Sequence, residues 1–344
     1  MRWDGLRLDG EATGRTPLLP LGSVTRTFDT PEFRGITVHE VTARSALNKV
    51  PEASRVPFRW TINPYRGCTI ACRFCFARKT HEYLDLDSGH DFDSQIVVKT
   101  NVGEVLRREL GRRSWRGEHA AMGTNVDCYQ RLEGRYRLMR DVIPALTEAR
   151  NPFSILTKSA LVLRDIDLLV EAAAVTDVTA ALSVGSVDRE IRAAVEPGAP
   201  PPLRRLDVVR QLNDAGIPCG VLMAPVLPFL TDSEDQLEAT VAAVAAAGAA
   251  YVSPIVLHLR PGAREWWQAW LARERPDLVT RYAELYGPRS YAPRAYQQHV
   301  ADTVRRLAEA HRVGRPTVRS GHERGRRTPP PAPTTAPPAQ LSLL

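Results

Sequence analysis

Cys68, Cys72 and Cys75 carry the chemistry most plainly legible in this 344-residue chain. They stand in the run Asn63-Pro64-Tyr65-Arg66-Gly67-Cys68-Thr69-Ile70-Ala71-Cys72-Arg73-Phe74-Cys75, spaced four and three residues apart. Three thiolates on one tight loop can bind three corners of a [4Fe–4S] cube, leaving the fourth iron without a protein ligand and open to substrate. The competing readings are a zinc site completed by His81 or His90, and buried thiols with no ligand at all. A zinc site normally draws on two well-separated ligand pairs, and no second CxxC occurs in the chain.

Other candidates lie where apolar runs end. Thr157-Lys158-Ser159 closes one such run, and a lysine there is costly to bury unless it meets an anion or snorkels to solvent. Asp127 and Cys128 follow another, and Ser183 ends a third. Asp127 also suits a cap on the helix that follows. Cys128, just after its strand, is a candidate hydrogen-atom donor facing a substrate, set against the usual buried fate of a free cysteine. Cys219 starts its strand and reads as a structural thiol.

Parallel βα units must position these residues. The segments 58–62, 120–126, 153–158, 178–184, 219–226 and 251–258 read as principal strands, with a short extra strand at 95–99 and a helix at 102–110. Helical spacing covers 131–149, 163–174, 203–214 and 233–247. Leu138, Val142 and Leu146 share one face, Ser233 with Gln236 forms a capping-box pattern, and Gly248 is placed to end that helix. Strands alternating with helices predict an α/β fold, and six principal strands are fewer than a closed eight-stranded barrel needs. In such barrels the βα loops at the C-terminal strand ends converge, which is where the candidate residues fall. Residues 1–57 read as an irregular N-terminal extension, 58–262 as the core and 263–312 as a C-terminal helical region. Within that region Trp266, Trp267 and Trp270 are expected in the core. Residues 313–344 read as a disordered basic and proline-rich tail.

The cysteine run resembles the CxxxCxxC signature of the radical S-adenosylmethionine (radical SAM) superfamily. Asn-Pro-Tyr-Arg-Gly before Cys68, Phe76-Ala77-Arg78 after Cys75, and Thr157-Lys158-Ser159 are similar to the branch related to spore photoproduct lyase. The resemblance implies a partial (β/α)6 TIM-type barrel, a [4Fe–4S] cluster on Cys68, Cys72 and Cys75, and SAM chelated at the open iron. It implies cleavage of SAM to a 5′-deoxyadenosyl radical that abstracts hydrogen from a substrate the residues do not identify. It also implies that the Phe74 backbone lies against the adenine, that Lys158 meets the SAM carboxylate and that Ser183 meets the ribose. Thr124 and Asp127, in Gly123-Thr124-Asn125-Val126-Asp127-Cys128-Tyr129-Gln130, stand where the superfamily commonly contacts the SAM amino group, and are expected at SAM or substrate. The lyase carries a cysteine on its second strand, where this chain has Thr124; the nearest thiol is Cys128. DNA photoproduct repair, for which Cys128 and the basic tail are the support, is one alternative. A nonenzymatic, metal-stabilised module binding nucleic acid or protein is the other.

Composition bounds the setting. With 43% hydrophobic content the chain can bury one large core. No stretch approaches the ~20 apolar residues of a membrane span, and the start lacks a signal-peptide core, so a cytoplasmic enzyme is expected. Five cysteines do not build a disulfide framework, which agrees with a reducing compartment, and the family resemblance implies a reductant such as flavodoxin or ferredoxin. Residues 312–327 hold six arginines and one acid, most of the net charge of +7, so the folded part is nearly neutral and any nucleic-acid affinity is expected from the tail.

Overall fold

The computed structural model describes residues 18–314 apart from Ala53 and Arg55. Up to the cysteine loop the chain lays down β1 (Val24–Thr27), β2 (Thr37–Val41), β3 (Leu47–Lys49), β4 (Trp60–Ile62) and β5 (Tyr65–Arg66). After it come α1 (His90–Ser94), β6 (Gln95–Lys99) and α2 (Val102–Leu110). Then strands and helices alternate: β7 (Ala120–Met122), α3 (Glu133–Tyr136), α4 (Met139–Glu148), β8 (Phe153–Thr157), α5 (Ile166–Ala173) and β9 (Val178–Ser183). They continue through α6 (Arg189–Val195), α7 (Pro202–Asp214), β10 (Cys219–Val226), α8 (Glu234–Ala246) and β11 (Val252–Val256). Three helices follow, α9 (Ala263–Glu274), α10 (Val279–Tyr286) and α11 (Arg294–Ala310).

The larger sheet runs β11-β10-β9-β8-β7-β4-β3. Strands β4, β7, β8, β9, β10 and β11 are mutually parallel, and β3 pairs antiparallel on the outer edge of β4. This is the six-stranded partial barrel: β11 does not pair back to β4, so the sheet stays open. Its strands are short, and in β8 Phe153, Ile155 and Thr157 are buried where helices cover the sheet. Helix α8 begins where Ser233 Oγ accepts from Gln236 N at 3.3 Å, and Gly248 (φ +67°) ends that turn. Helix α11 packs on α8 and β11.

Two expectations need correction. Residues 1–57 are not irregular throughout: β1 and β2 pair antiparallel, β2 runs parallel to β6, and β3 covers the edge of β4. These strands are three to five residues long and β1 is exposed throughout, so they carry no alternation that sequence could reveal. The single helix expected at 131–149 is two, separated at Arg137, whose φ of 55° is left-handed. The Glu133 carboxylate accepts from the Leu138 and Met139 amides at 3.0 Å, starting α4 afresh. The three tryptophans are buried as expected, with Trp267 stacked on Trp270 at a centroid distance of 4.7 Å. The expected tail lies outside the described residues from Arg315 onward.

Candidate functional site

The cysteine loop is held by its backbone and by two buried side chains, Gln130 and Arg78. Gly67 adopts φ +81°, and a Cβ there would meet His81 Cε1 at 2.9 Å and the Gln95 carbonyl at 3.0 Å, so the turn into the loop requires glycine. Cys68 N donates to Phe92 O (3.0 Å) and Cys75 N to Cys72 O (3.3 Å). Gln130 accepts from Thr69 N at 2.9 Å and donates to Gly67 O at 3.0 Å. Arg78, fully buried, donates Nε and Nη2 to Cys72 O at 3.1 and 2.9 Å, Nη1 to Gly89 O at 2.7 Å, and pairs with Asp93 at 2.8 Å. The segment after α6 packs on the same loop: Arg73 N donates to Val195 O at 2.9 Å and Gly198 N to Ile70 O at 3.0 Å. Gly198 lies so close to Thr69 O that a Cβ would collide with it.

All five cysteines are free. Burial pushes the Cys68, Cys72 and Cys75 thiols up; Lys158 opposes this at Cys72, and Arg78 at Cys75. Among the described residues no three Cys, His, Asp or Glu side chains already stand at metal-ligand spacing. The fit of an iron–sulfur cluster rests on donor chemistry: three free thiols on one loop, each within electrostatic reach of the others. For the zinc reading, His81 Nε2 meets Gln95 O at 2.8 Å while its Nδ1 is buried without a partner, and His90 Nδ1 pairs with Ser94 Oγ at 3.1 Å; neither histidine stands in a group of three metal-ligating side chains among the described residues.

Lys158 directly follows β8 and finds its anion inside the protein. Its Nζ lies 2.9 Å from Glu196 Oε1, donates to Ser183 Oγ, approaches Ala224 O at 3.4 Å, and sits 5.8 Å from the Phe74 ring centroid. Arg205 grips the other Glu196 oxygen at 2.5 Å and donates to the Ser183 and Pro200 carbonyls at 2.8 and 2.9 Å. Burial alone pushes the Glu196 carboxyl up, but Arg205 and Lys158 outweigh it and hold the group down at about 2. Phe74, Glu196, Pro225 and Thr231 border a small crevice. Phe74 also meets Trp267 edge to face at 6.2 Å, so the tryptophan core buttresses the loop.

Glu196 and Arg205 were not expected at the site: in the sequence they stand only in a Glu196-Pro197 run followed by Arg204-Arg205-Leu206, which resembles the same family branch and reads as scaffold. At the neighbouring strand ends, Asp127 accepts from Thr157 Oγ1 (2.7 Å), Lys158 N (2.7 Å) and Tyr129 N (2.9 Å), so it ties β7 to β8 as well as starting the next turn. Thr124 Oγ1 is buried without a partner, a polar atom that a ligand group would satisfy. Cys128 is fully buried in the main core beside Asp127 and Glu133, and burial pushes its thiol up. As the protein stands, that thiol faces no open space. Cys219 is buried, in agreement with a structural role.

A family model described as the Radical SAM superfamily matches residues 62–241. An uncharacterized protein of Mycobacterium tuberculosis is 48% identical over 320 residues, spanning 91% of this chain and 93% of that protein. An uncharacterized protein of Methanocaldococcus jannaschii is 28% identical over 201 residues, 58% of this chain and 71% of that one. Among solved structures, spore photoproduct lyase complexed with dinucleoside spore photoproduct shares the fold, with a TM-score of 0.58 at 17% identity, covering 79% of this chain and 78% of the other.

Proposed function

The chain belongs to the radical SAM superfamily of enzymes, and on that premise we propose that it holds a [4Fe–4S] cluster on Cys68, Cys72 and Cys75, cleaves SAM reductively and abstracts hydrogen from a substrate. The observation that carries this reading is the placement of three free thiols and Lys158 together at the C-terminal mouth of a partial barrel. When bound, the cluster supplies the electron that breaks a carbon–sulfur bond of SAM and yields a 5′-deoxyadenosyl radical. The chain's own residues do the positioning. Arg78 and Gln130 fix the loop backbone, and Lys158 offers its ammonium to the carboxylate of SAM. Ser183, on the adjoining strand, is near enough to Lys158 to serve the ribose. The Phe74 backbone backs the adenine, while Thr124 supplies an unspent hydroxyl. Asp127 acts by holding Lys158 and Thr157 at the strand end.

The reductant in this reading is a flavodoxin or ferredoxin, and the setting is the cytoplasm, which suits five free cysteines. Among the described residues no helix is long and apolar enough to cross a membrane. DNA photoproduct repair is not carried forward: Thr124 stands where a donor thiol is needed, and Cys128 is closed off. The nonenzymatic module gives way to family membership. Anaerobic purification tests the whole: a brown protein with iron and sulfide that yields 5′-deoxyadenosine from SAM under dithionite supports it, and a colourless zinc protein overturns it.

A further inference from the structure

Three donors of the Lys158 ammonium are already engaged, by Glu196, Ser183 and Ala224 O. An ammonium has three N–H groups, so no donor is left over for an incoming carboxylate. Glu196 cannot simply swing away. Arg205 is almost wholly buried, and it holds the other oxygen of Glu196 while its Nε and Nη1 donate to the Pro200 and Ser183 carbonyls. Removing Glu196 to solvent would strand a buried guanidinium. The carboxylate therefore stays near Lys158 and remains a local negative charge that a second carboxylate must approach.

We infer that Glu196 is a positioning residue and built-in competitor: clamped by Arg205, it occupies Lys158 in place of a ligand carboxylate and weakens the hold of Lys158 on amino-acid-bearing ligands. The inference rests on the reading above, in which Lys158 meets the carboxylate of SAM. SAM then binds by exchange, taking one donor from Glu196 or Ser183, and the methionine left after cleavage is released when Glu196 reclaims that donor. The same charge discriminates against ligands with more negative charge at this end.

The test is equilibrium dialysis on the full chain with its cluster reconstituted, without reductant, using SAM, methionine and 5′-methylthioadenosine. Methylthioadenosine lacks the amino-acid end and should report only the nucleoside contacts. Glu196→Gln keeps the shape of the side chain and removes the competing charge. It should tighten SAM and methionine roughly tenfold, the effect of gaining about one charge-assisted contact, and leave methylthioadenosine unchanged. Equal weakening of all three ligands would mean that Glu196 only supports the fold, and unchanged SAM affinity would remove the competition; either overturns the inference. If Glu196→Gln does not fold, Glu196→Asp carries the test, since the shorter side chain keeps its charge but retreats from Lys158 while still reaching Arg205. Its expected result is again tighter SAM, with methylthioadenosine unchanged. Lys158→Ala separates the two claims. If it leaves SAM affinity intact, the underlying reading fails; if it weakens SAM while both Glu196 variants change nothing, only the competition fails.

Discussion

Arg78 and Cys72 are joined by two hydrogen bonds, from Nε at 3.1 Å and Nη2 at 2.9 Å, both ending on the Cys72 carbonyl. An arginine fork thus grips the backbone of a residue proposed as a cluster ligand, while its sulfur is left free to bind. The guanidinium lies 4.7 Å from the Trp266 ring centroid and pairs with Asp93, so the grip is buried on every side.

Arg78→Met breaks this grip and leaves the largely buried Asp93 unpaired. Breaking a buried pair costs about 3–5 kcal/mol, so the variant should melt earlier and take up less iron on anaerobic reconstitution. Arg78→Lys keeps the charge without the planar fork and should fall between the two. Urea melts and iron per chain are the measurements; a variant equal to wild type in both would show that the fork does not hold the loop.

Replacing any one of Cys68, Cys72 or Cys75 with alanine should abolish the cluster and SAM cleavage, because each removes one of three protein ligands. Cys219→Ala should retain both, since that thiol is buried in the core. Iron and sulfide analysis with 5′-deoxyadenosine quantification decides. A single replacement among the three that keeps full iron and activity would show that the ligand assignment is wrong.

Lys158→Ala should leave iron content unchanged and weaken SAM binding by roughly one to two orders of magnitude, the loss expected for a charge-assisted contact of about 1.5–3 kcal/mol. Glu196 keeps its Arg205 partner in this variant, so the fold should survive. The dialysis constant for SAM is the readout.

Burial holds the His81 imidazole at about 4 despite its bond to the Gln95 carbonyl. The unfolded chain takes up a proton at this histidine near 6.5 and the folded chain does not until about 4, so stability falls as pH drops through that interval. At pH 5 the loss from this one group is about 2 kcal/mol relative to pH 8. Denaturant midpoints at pH 8 and pH 5 should show a smaller drop for His81→Leu than for wild type. Equal drops would place the acid sensitivity elsewhere.

What the sequence revealed was local. Three cysteines within eight residues announce themselves, and Lys158 and Ser183 were found because each closes an apolar run whose strand end is fixed by periodicity. Glu196 and Arg205 were not, because their role exists only once β8 and β9 lie side by side and the chain after α6 folds back across them. Arg78 reads as a flanking residue in sequence and becomes a clamp only through carbonyls and a carboxylate up to fifteen residues away. The break at Arg137 was hidden for the same reason: Leu138, Val142 and Leu146 keep helical spacing, while the interruption is set by Glu133, itself held by Tyr65 and Arg164.

The backbone bonds from Arg73 to Val195 and from Gly198 to Ile70 bracket Glu196 with two stitches into the cysteine loop. A ligand that takes a Lys158 donor from Glu196 thus acts on a residue tied through its neighbours to Ile70 and Arg73, and the seating of the loop bears in turn on Glu196. Under the proposed function the two occupancies are linked in thermodynamic terms: whatever factor cluster loading would apply to the affinity for the amino-acid end of SAM, SAM would apply equally to the retention of the cluster.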